Sequence, residues 1–335
     1  MKKYSNYITE KFQVGFTDLH TPTIKYKAND IDHLREIVED KVEELYKNKD
    51  TLLDLSDIDV SRVKTLSNLL SVKQFGDKLN SVEVIDLTGW NVENVINIDY
   101  FIYGLPALTE IRFDELYFDN LIAANCSFAG NKSLVKFNTA NIYINDTVRS
   151  MEYTFASNLL LKKIDVSNID FKSVESTKAM FYYNVSMEEI TGFKGKKMPK
   201  IKNMSNMFDS CNYLTKTDID GAYIGEDVIT IKQMFSGCNA LTALDLSNWT
   251  FPNLENAIQA FDNCKKLTSV GNLEKWKCPK LTRVYDMFAN CYSITSLGDI
   301  DDWTIPVDDI SENDLRYMFY YIGLHFELPS WYKIK

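Results

Sequence analysis

Met234-Phe235-Ser236-Gly237-Cys238-Asn239-Ala240-Leu241-Thr242-Ala243-Leu244-Asp245-Leu246-Ser247-Asn248-Trp249 is the stretch that decides the fold, because it returns along the chain. Its Phe235 recurs as Phe128, Phe155, Phe181, Phe208, Phe261 and Phe288, in steps of 26 or 27 residues. Six residues after each Phe sits an apolar residue (Leu134, Leu161, Met187, Leu214, Leu241, Leu267, Ile294), and three further on is a position that is apolar except at Thr217. A period in the twenties is the signature of a solenoid, in which a repeat buries its apolar side only against its neighbours.

The register extends backward through Ile111, Ile85-Asp86-Leu87 and Leu53-Asp54-Leu55. Ten copies result, anchored at Leu53, Ile85, Ile111, Phe137, Ile164, Ile190, Thr217, Leu244, Val270 and Leu297, and only the first spacing, 32, departs strongly from the period. Within a copy, Leu244-Asp245-Leu246 alternates with period two, as in a short strand. Leu254, Ala257, Ile258 and Phe261 then fall three or four apart, which predicts a short helix or helical turn. One strand and one helical turn per copy predict an α/β repeat solenoid, right-handed, with a parallel sheet of about ten coils stacked ~4.8 Å apart.

Cys211, Cys238, Cys264 and Cys291 lie three residues after the repeat Phe, where earlier copies hold Asn131, Asn158 and Asn184. A position that takes only Asn or Cys predicts an inward ladder at a turn, Asn serving backbone groups by hydrogen bonds and Cys filling the place as a small buried residue with a weak donor. The thiols are expected to be reduced.

The pattern Met-Phe-x-x-Cys-x-x-Leu-x-x-Leu-Asp-Leu-Ser-x-Trp resembles the BspA-type leucine-rich repeats, in the 26-residue variety of bacterial surface proteins and mycoplasma lipoproteins. The resemblance spans about residues 50 to 308. It implies a leucine-rich-repeat solenoid used for binding, often in adhesion or host recognition, and brings no catalytic motif.

Four segments follow from the register. Residues 51–308 form the solenoid. Residues 29–50 read as a cap helix, with Asn29 or Asp30 at its start, Leu34, Ile37, Val38, Val42 and Leu45 on one side and acidic residues on the other. Residues 1–28, with Tyr4, Tyr7, Phe12, Phe16 and Tyr26, match no copy and read as an arm that docks elsewhere, offering a route into a larger assembly. Residues 309–335 read as a C-terminal cap, because Asp314 to Phe319 restarts a copy that the aromatic residues after it do not continue.

The chain's 335 residues carry 37 basic and 47 acidic side chains, a net charge of −10 that argues against a nucleic-acid partner. No apolar run is long enough for a transmembrane helix, and no export signal follows Met1, which points to a bacterial cytoplasm or a virion, or to the cell surface if a leader is removed. His20, His33 and His325 have no ligand-spaced partners, and neither a phosphate loop nor a G-x-S-x-G elbow occurs, so no enzyme activity, metal or cofactor is expected. Trp90, Trp249, Trp276 and Trp303 take the slot held elsewhere by Ile58, Leu116, Ile142 and Ile169, which assigns them to the core rather than to a sugar-stacking row. Asn131-Lys132-Ser133 and Asn184-Val185-Ser186 match a glycosylation triplet, but both asparagines belong to the ladder.

Strand alternation turns Asp86, Asp114, Asp165, Asp218, Asp220 and Asp245 outward, together with Asp54. Two readings stay open for this row: a solvated face produced by copying the repeat, or an acidic strip that binds a basic partner or a divalent ion, with Phe193, Leu273 and Ile300 as apolar contacts. Function likewise has two candidates. One is a non-enzymatic solenoid that binds a protein or a cell-surface ligand; the other is a structural component of a phage virion or tail that displays the solenoid and is anchored by residues 1–28.

Overall fold

The computed structural model describes residues 22–332. The anchors meet one another in register: Leu53 faces Ile85, Ile85 faces Ile111 and Ile111 faces Phe137 in a four-stranded parallel sheet, and Ile164, Ile190 and Thr217 line up in a three-stranded one. A 3-10 turn, Thr139–Asn141, separates the two sheets, and there the Thr139 hydroxyl accepts the Asp165 N–H (2.8 Å) in place of a backbone carbonyl. After Thr217 the line of anchor strands lapses. Coils remain tied by isolated bonds such as Leu246 N–H to Val270 O (3.0 Å), so the single sheet expected from the sequence is a broken one. A second line of strands pairs Leu116–Phe118 with Ile142–Ile144, and a third runs as unbroken single-residue bridges from Thr65 through Asn97, Ala123, Ser150, Ser176, Asn203, Thr230 and Asn256 to Arg283.

Beyond the first coil, where Val72–Phe75 forms one helical turn, the expected helical half is absent, and the backbone bonds show why. Instead of bonding within a coil, three N–H groups per turn donate to the next coil: Cys126 to Glu152 O, Phe128 to Thr154 O and Gly130 to Ala156 O, all at 2.9 Å. One coil later Tyr153, Phe155 and Ser157 do the same to Lys178, Met180 and Tyr182. Such aim requires left-handed residues on either side of the Phe, and Cys126 (φ 54°), Tyr153 (φ 56°), Ser157 (φ 59°), Ala179 (φ 54°) and Tyr183 (φ 58°) adopt it without being glycine. Each costs about 1 kcal/mol or more in backbone strain, offset by the inter-coil bonds. A spacing of three or four apolar residues therefore marked a run of tight turns that keep bonds of the Ala156 N–H to Tyr153 O kind (3.1 Å) in place of the i→i−4 bonds of an α-helix.

The repeat phenylalanines stack into a column. Successive pairs from Phe128 to Phe319 have ring centroids 5.1–5.9 Å apart and interplanar angles of at most 13°. Around them the buried aliphatic residues of all coils join one continuous core.

At the beginning of the described chain, helix Ile31–Asn48 starts at Asp30, whose carboxylate accepts the His33 N–H (2.9 Å), and buries Leu34, Ile37, Val38, Val42 and Leu45. It packs against strand Leu52–Asp54 and turn Gly76–Leu79. Just before it, Tyr26–Lys27, the last part of the expected arm, pairs in parallel with Ile58–Asp59 and adds a rung to the solenoid's first coil, and residues 1–21 of that arm lie outside the described residues. Tyr4, Tyr7, Phe12 and Phe16 lie outside the described residues. At the other end, helix Glu312–Met318 starts at Ser311, and Phe319 joins the column while Phe326, Trp331 and Tyr332 gather on it at 5.2–6.4 Å. Among the described residues no helix is long and apolar enough to cross a membrane.

Candidate interaction surface

The inward ladder is a set of bonds between coils. Asn158 donates to Phe155 O (2.8 Å) in its own coil and to Phe128 O (3.0 Å) in the one before, and its Oδ1 accepts the Asn131 N–H (3.2 Å). Cys238 and Cys264 donate S–H to Phe208 O (3.2 Å) and Phe235 O (3.1 Å), while their own N–H groups donate to Phe235 O (3.0 Å) and Phe261 O (3.1 Å). Asn131, Asn158, Asn184, Cys211, Cys238, Cys264 and Cys291 are all fully buried, and burial pushes the Cys291 thiol up to about 12. None of the six cysteines is in a disulfide. Burial of Asn131 and Asn184 also leaves no room for a glycan.

The residues of the expected acidic strip fall in two registers, Asp86, Asp165, Asp218 and Asp245 one residue after their anchors and Asp114 and Asp220 three after, Asp86 faces Arg112, and most of the carboxylates are engaged locally. Asp86 accepts the Thr88 N–H (2.9 Å), Asp165 the Ser167 N–H (2.8 Å), and Asp245 both the N–H (3.1 Å) and the hydroxyl of Ser247. The Asp-x-Ser/Thr pattern is thus a turn lock, and its Ser247 bonds hold the Asp245 carboxyl below its usual range. Asp218 accepts the N–H groups of Gly192 (3.1 Å) and Phe193 (2.9 Å), and Asp220 the Asp245 N–H (3.4 Å). Asp114 and Asp245 are exposed; Asp86, Asp165, Asp218 and Asp220 are half-buried.

Phe193 is not an exposed contact but fully buried, and so are Leu273 and, nearly, Ile300. Each follows by one or two residues a glycine of positive φ: Gly192 (100°), Gly271 (86°) or Gly298 (83°). The extra residue acts as a bulge that reverses the alternation and returns the next apolar side chain to the core. At Gly192 a Cβ would stand 2.2 Å from the Ser167 nitrogen, so only glycine fits. The cue was in the sequence, as glycine standing where Leu246 and Val166 stand in other copies.

Beside the strip the charges are mixed. Glu110 pairs with Lys136 (3.3 Å), Glu188 with Lys162 (2.7 Å), Glu189 with Lys163 (3.2 Å) and Lys216, and Glu175 with Lys202 (2.8 Å), each acid meeting a base one coil away. Sequence reasoning missed two features of the flanks. Tyr117 and Tyr143 stack at 4.5 Å and share the Glu115 carboxylate, which accepts both hydroxyls (2.7 and 3.3 Å). An open groove of about 520 Å³ runs past Ile122, Asp146, Arg149, Glu175 and Lys200, with a smaller one of about 320 Å³ past Lys202, Asp227, Ile229 and Lys280. Equal spacing of Tyr117 and Tyr143 in the register was the available signal. Among the described residues no three His, Cys, Asp or Glu side chains converge as a metal site.

The repeat has a counterpart among known families. A model described as "Mycoplasma protein of unknown function, DUF285" matches three overlapping parts of the chain, residues 25–134, 117–220 and 184–303. The chain belongs to this DUF285 family. Its matches cover the coils from the Tyr26–Lys27 rung to the Trp303 slot, so the DUF285 unit is a run of the same repeat. No curated protein matches the chain. Among solved structures, a leucine-rich repeat protein from Eubacterium ventriosum is 13% identical over 92% of this chain and 91% of its own, with a TM-score of 0.38.

Proposed function

We propose that this DUF285 chain is a non-enzymatic binding module of the BspA-type leucine-rich-repeat kind, engaging another protein or a cell-surface ligand through its outward rows. The N-terminal helix and residues 309–335 close its ends in this reading. The observation that carries it is the contrast between rows. The inward positions are held by packing coil after coil, whereas the row just before the bridged residues reads Lys64, Ile96, Ile122, Arg149, Glu175, Lys202, Ile229, Glu255, Thr282. Ile96, Ile122 and Ile229 of that row are 41–50% exposed. A rigid scaffold that varies only its outward side chains is the division of labour expected of a recognition surface. Adhesion is the role in keeping with the family resemblance, and the phage-component alternative has no separate observation in its favour.

The test is photo-crosslinking from Ile122, Arg149 and Ile229 in bacteria that express the chain, with the strand face sampled at Asp114 and Asp245. A discrete protein or surface polymer trapped from neighbouring rows is the expected result. Absence of any adduct from every outward row would sink the binding reading.

A further inference from the structure

The solenoid neutralises its carboxylates with lysines one coil away through its middle, and then stops doing so. Between Asp299 and Leu328 the chain carries eight carboxylate side chains and one basic one, Arg316, so this stretch holds −7 of the total −10; Lys333 and Lys335 follow beyond the described residues. Only Glu312 of those eight pairs with a base among the described residues, through Arg316 (3.3 Å). Asp301, Asp302, Asp308, Asp309 and Glu327 stand exposed.

The same end displays large apolar side chains: Leu324 is 99% exposed, Tyr321 61%, Tyr292 53% and Leu328 52%. Their loop is fixed to the last coils. A Cβ on Gly323 would lie 2.1 Å from Ile294 O and 3.1 Å from Tyr292 O, so the loop lies directly on Tyr292 and Ile294. Trp331 Nε1 donates to Ile300 O (2.8 Å) and the Ser330 N–H to the Asp301 carboxylate, which brings Leu328 beside Asp301 and Asp302. Apolar tips set among unpaired carboxylates make a surface complementary to basic residues flanking an apolar side chain.

We propose that this C-terminal face docks a cationic segment of a partner protein, its Lys or Arg side chains meeting Asp301, Asp302 and Glu327 and an apolar anchor covering Leu324 and Leu328. This rests on the binding-module reading and names the partner's chemistry. The probe is a short, labelled, lysine-rich peptide bearing two leucines, followed by fluorescence anisotropy against the full chain. Binding should weaken as salt rises, and should fall on the order of tenfold both in Leu324→Ser/Leu328→Ser and in Asp301→Asn/Asp302→Asn. It should be unmoved in Asp54→Asn/Asp245→Asn, which removes as many charges from the strand face. Equal loss in the two charge variants, full retention in the leucine variant, or equal binding of a peptide without leucines would each overturn the proposal. So would self-association of the chain abolished by the same leucine changes, which would give the face to a second copy. Crosslinks from the outward rows without peptide binding here would overturn this assignment alone and leave the binding-module reading standing.

Discussion

Two halves of the ladder do the same job with different chemistry. In the coils of Asn158 and Asn184 an amide donates twice and accepts once, tying the carbonyls of two Phe residues and the N–H of the rung before, and Asn131 does the same with Ile102 O, Phe128 O and the Leu105 N–H. From Cys211 to Cys291 a thiol keeps the bond to the earlier Phe O at 3.0–3.2 Å but gives up the side-chain bond within its own coil, where the backbone N–H of Cys211, Cys238 and Cys264 meets the Phe O instead. The turn outside changes with it in part. One residue after the Phe, the asparagine coils place Ala129, Ala156 and Tyr182, whereas the cysteine coils place Asp209, Ser236, Asp262 and Ala289, of which the two aspartates are nearly buried. The backbone path is therefore set by the stack as a whole, and the rung is free to be polar or soft as long as it is small and meets the carbonyl of the previous coil.

The strongest way to break this comparison is to empty a rung in each half. Asn158→Ala strands the buried Asn131 N–H and leaves Phe128 O and Phe155 O with one amide donor each, from Asn131 and Asn184, and should cost on the order of 3 kcal/mol, read from the midpoint of urea unfolding. Cys238→Ala loses a weaker donor and a few atoms, and about 1–2 kcal/mol is expected. Equal losses would mean that the rung works by volume alone. The exchange Asn158→Cys tests the middle ground, with a cost of about 2 kcal/mol for the lost intra-coil bond. Outside the rungs, Asp218→Ala strands the Gly192 and Phe193 N–H groups and should cost about 1–2 kcal/mol, while Asp218→Asn, which keeps an acceptor, should cost less.

Thiol chemistry sharpens the comparison without mutation. Cys126 is half-exposed and outside the rungs, whereas the other five cysteines are buried. A thiol reagent should therefore modify Cys126 alone in the folded chain and all six only after denaturation, counted by mass spectrometry; native labelling of Cys238 or Cys264 would show that the cysteine coils open.

The smallest effect concerns acid. Burial raises the Asp209 carboxyl above its usual range despite bonds from Asn206 and Ser210, so its contribution is favourable below the unfolded value and is lost as pH rises through the folded one. Asp209→Asn should accordingly be slightly stabilising at pH 7, with the gain vanishing toward pH 3. Asp245 behaves oppositely: its lowered carboxyl stabilises above the unfolded value and loses that contribution as pH falls through the folded one. Paired denaturation curves of Asp209→Asn and Asp245→Asn across this range check both signs.

Much of this was legible in the sequence because it rests on identity at a fixed spacing. The anchors, the Phe column and the Asn or Cys rung each need one kind of side chain at one point of every coil, and the register repeats them. The turns were illegible because their conformation is imposed from outside. Tyr153, Ala179 and Cys126 take left-handed backbone in order to aim N–H groups at the next coil, and nothing in those residue types announces it. The local bonds of the outward acids were illegible for a related reason: alternation gives a side chain's direction but not whether a neighbouring N–H already occupies it, and at Gly192 the alternation itself slips.

Because the backbone bonds that join the coils, such as those from Tyr153, Phe155 and Ser157 to the next coil, all run from one turn to the next, they lie along the stacking axis. A load applied between the two ends would open one coil boundary at a time, as a zipper does, instead of shearing many bonds together. Each boundary that yields releases 26 or 27 residues, roughly 90 Å of extended chain, so force spectroscopy should record a train of evenly spaced steps whose length is the repeat itself.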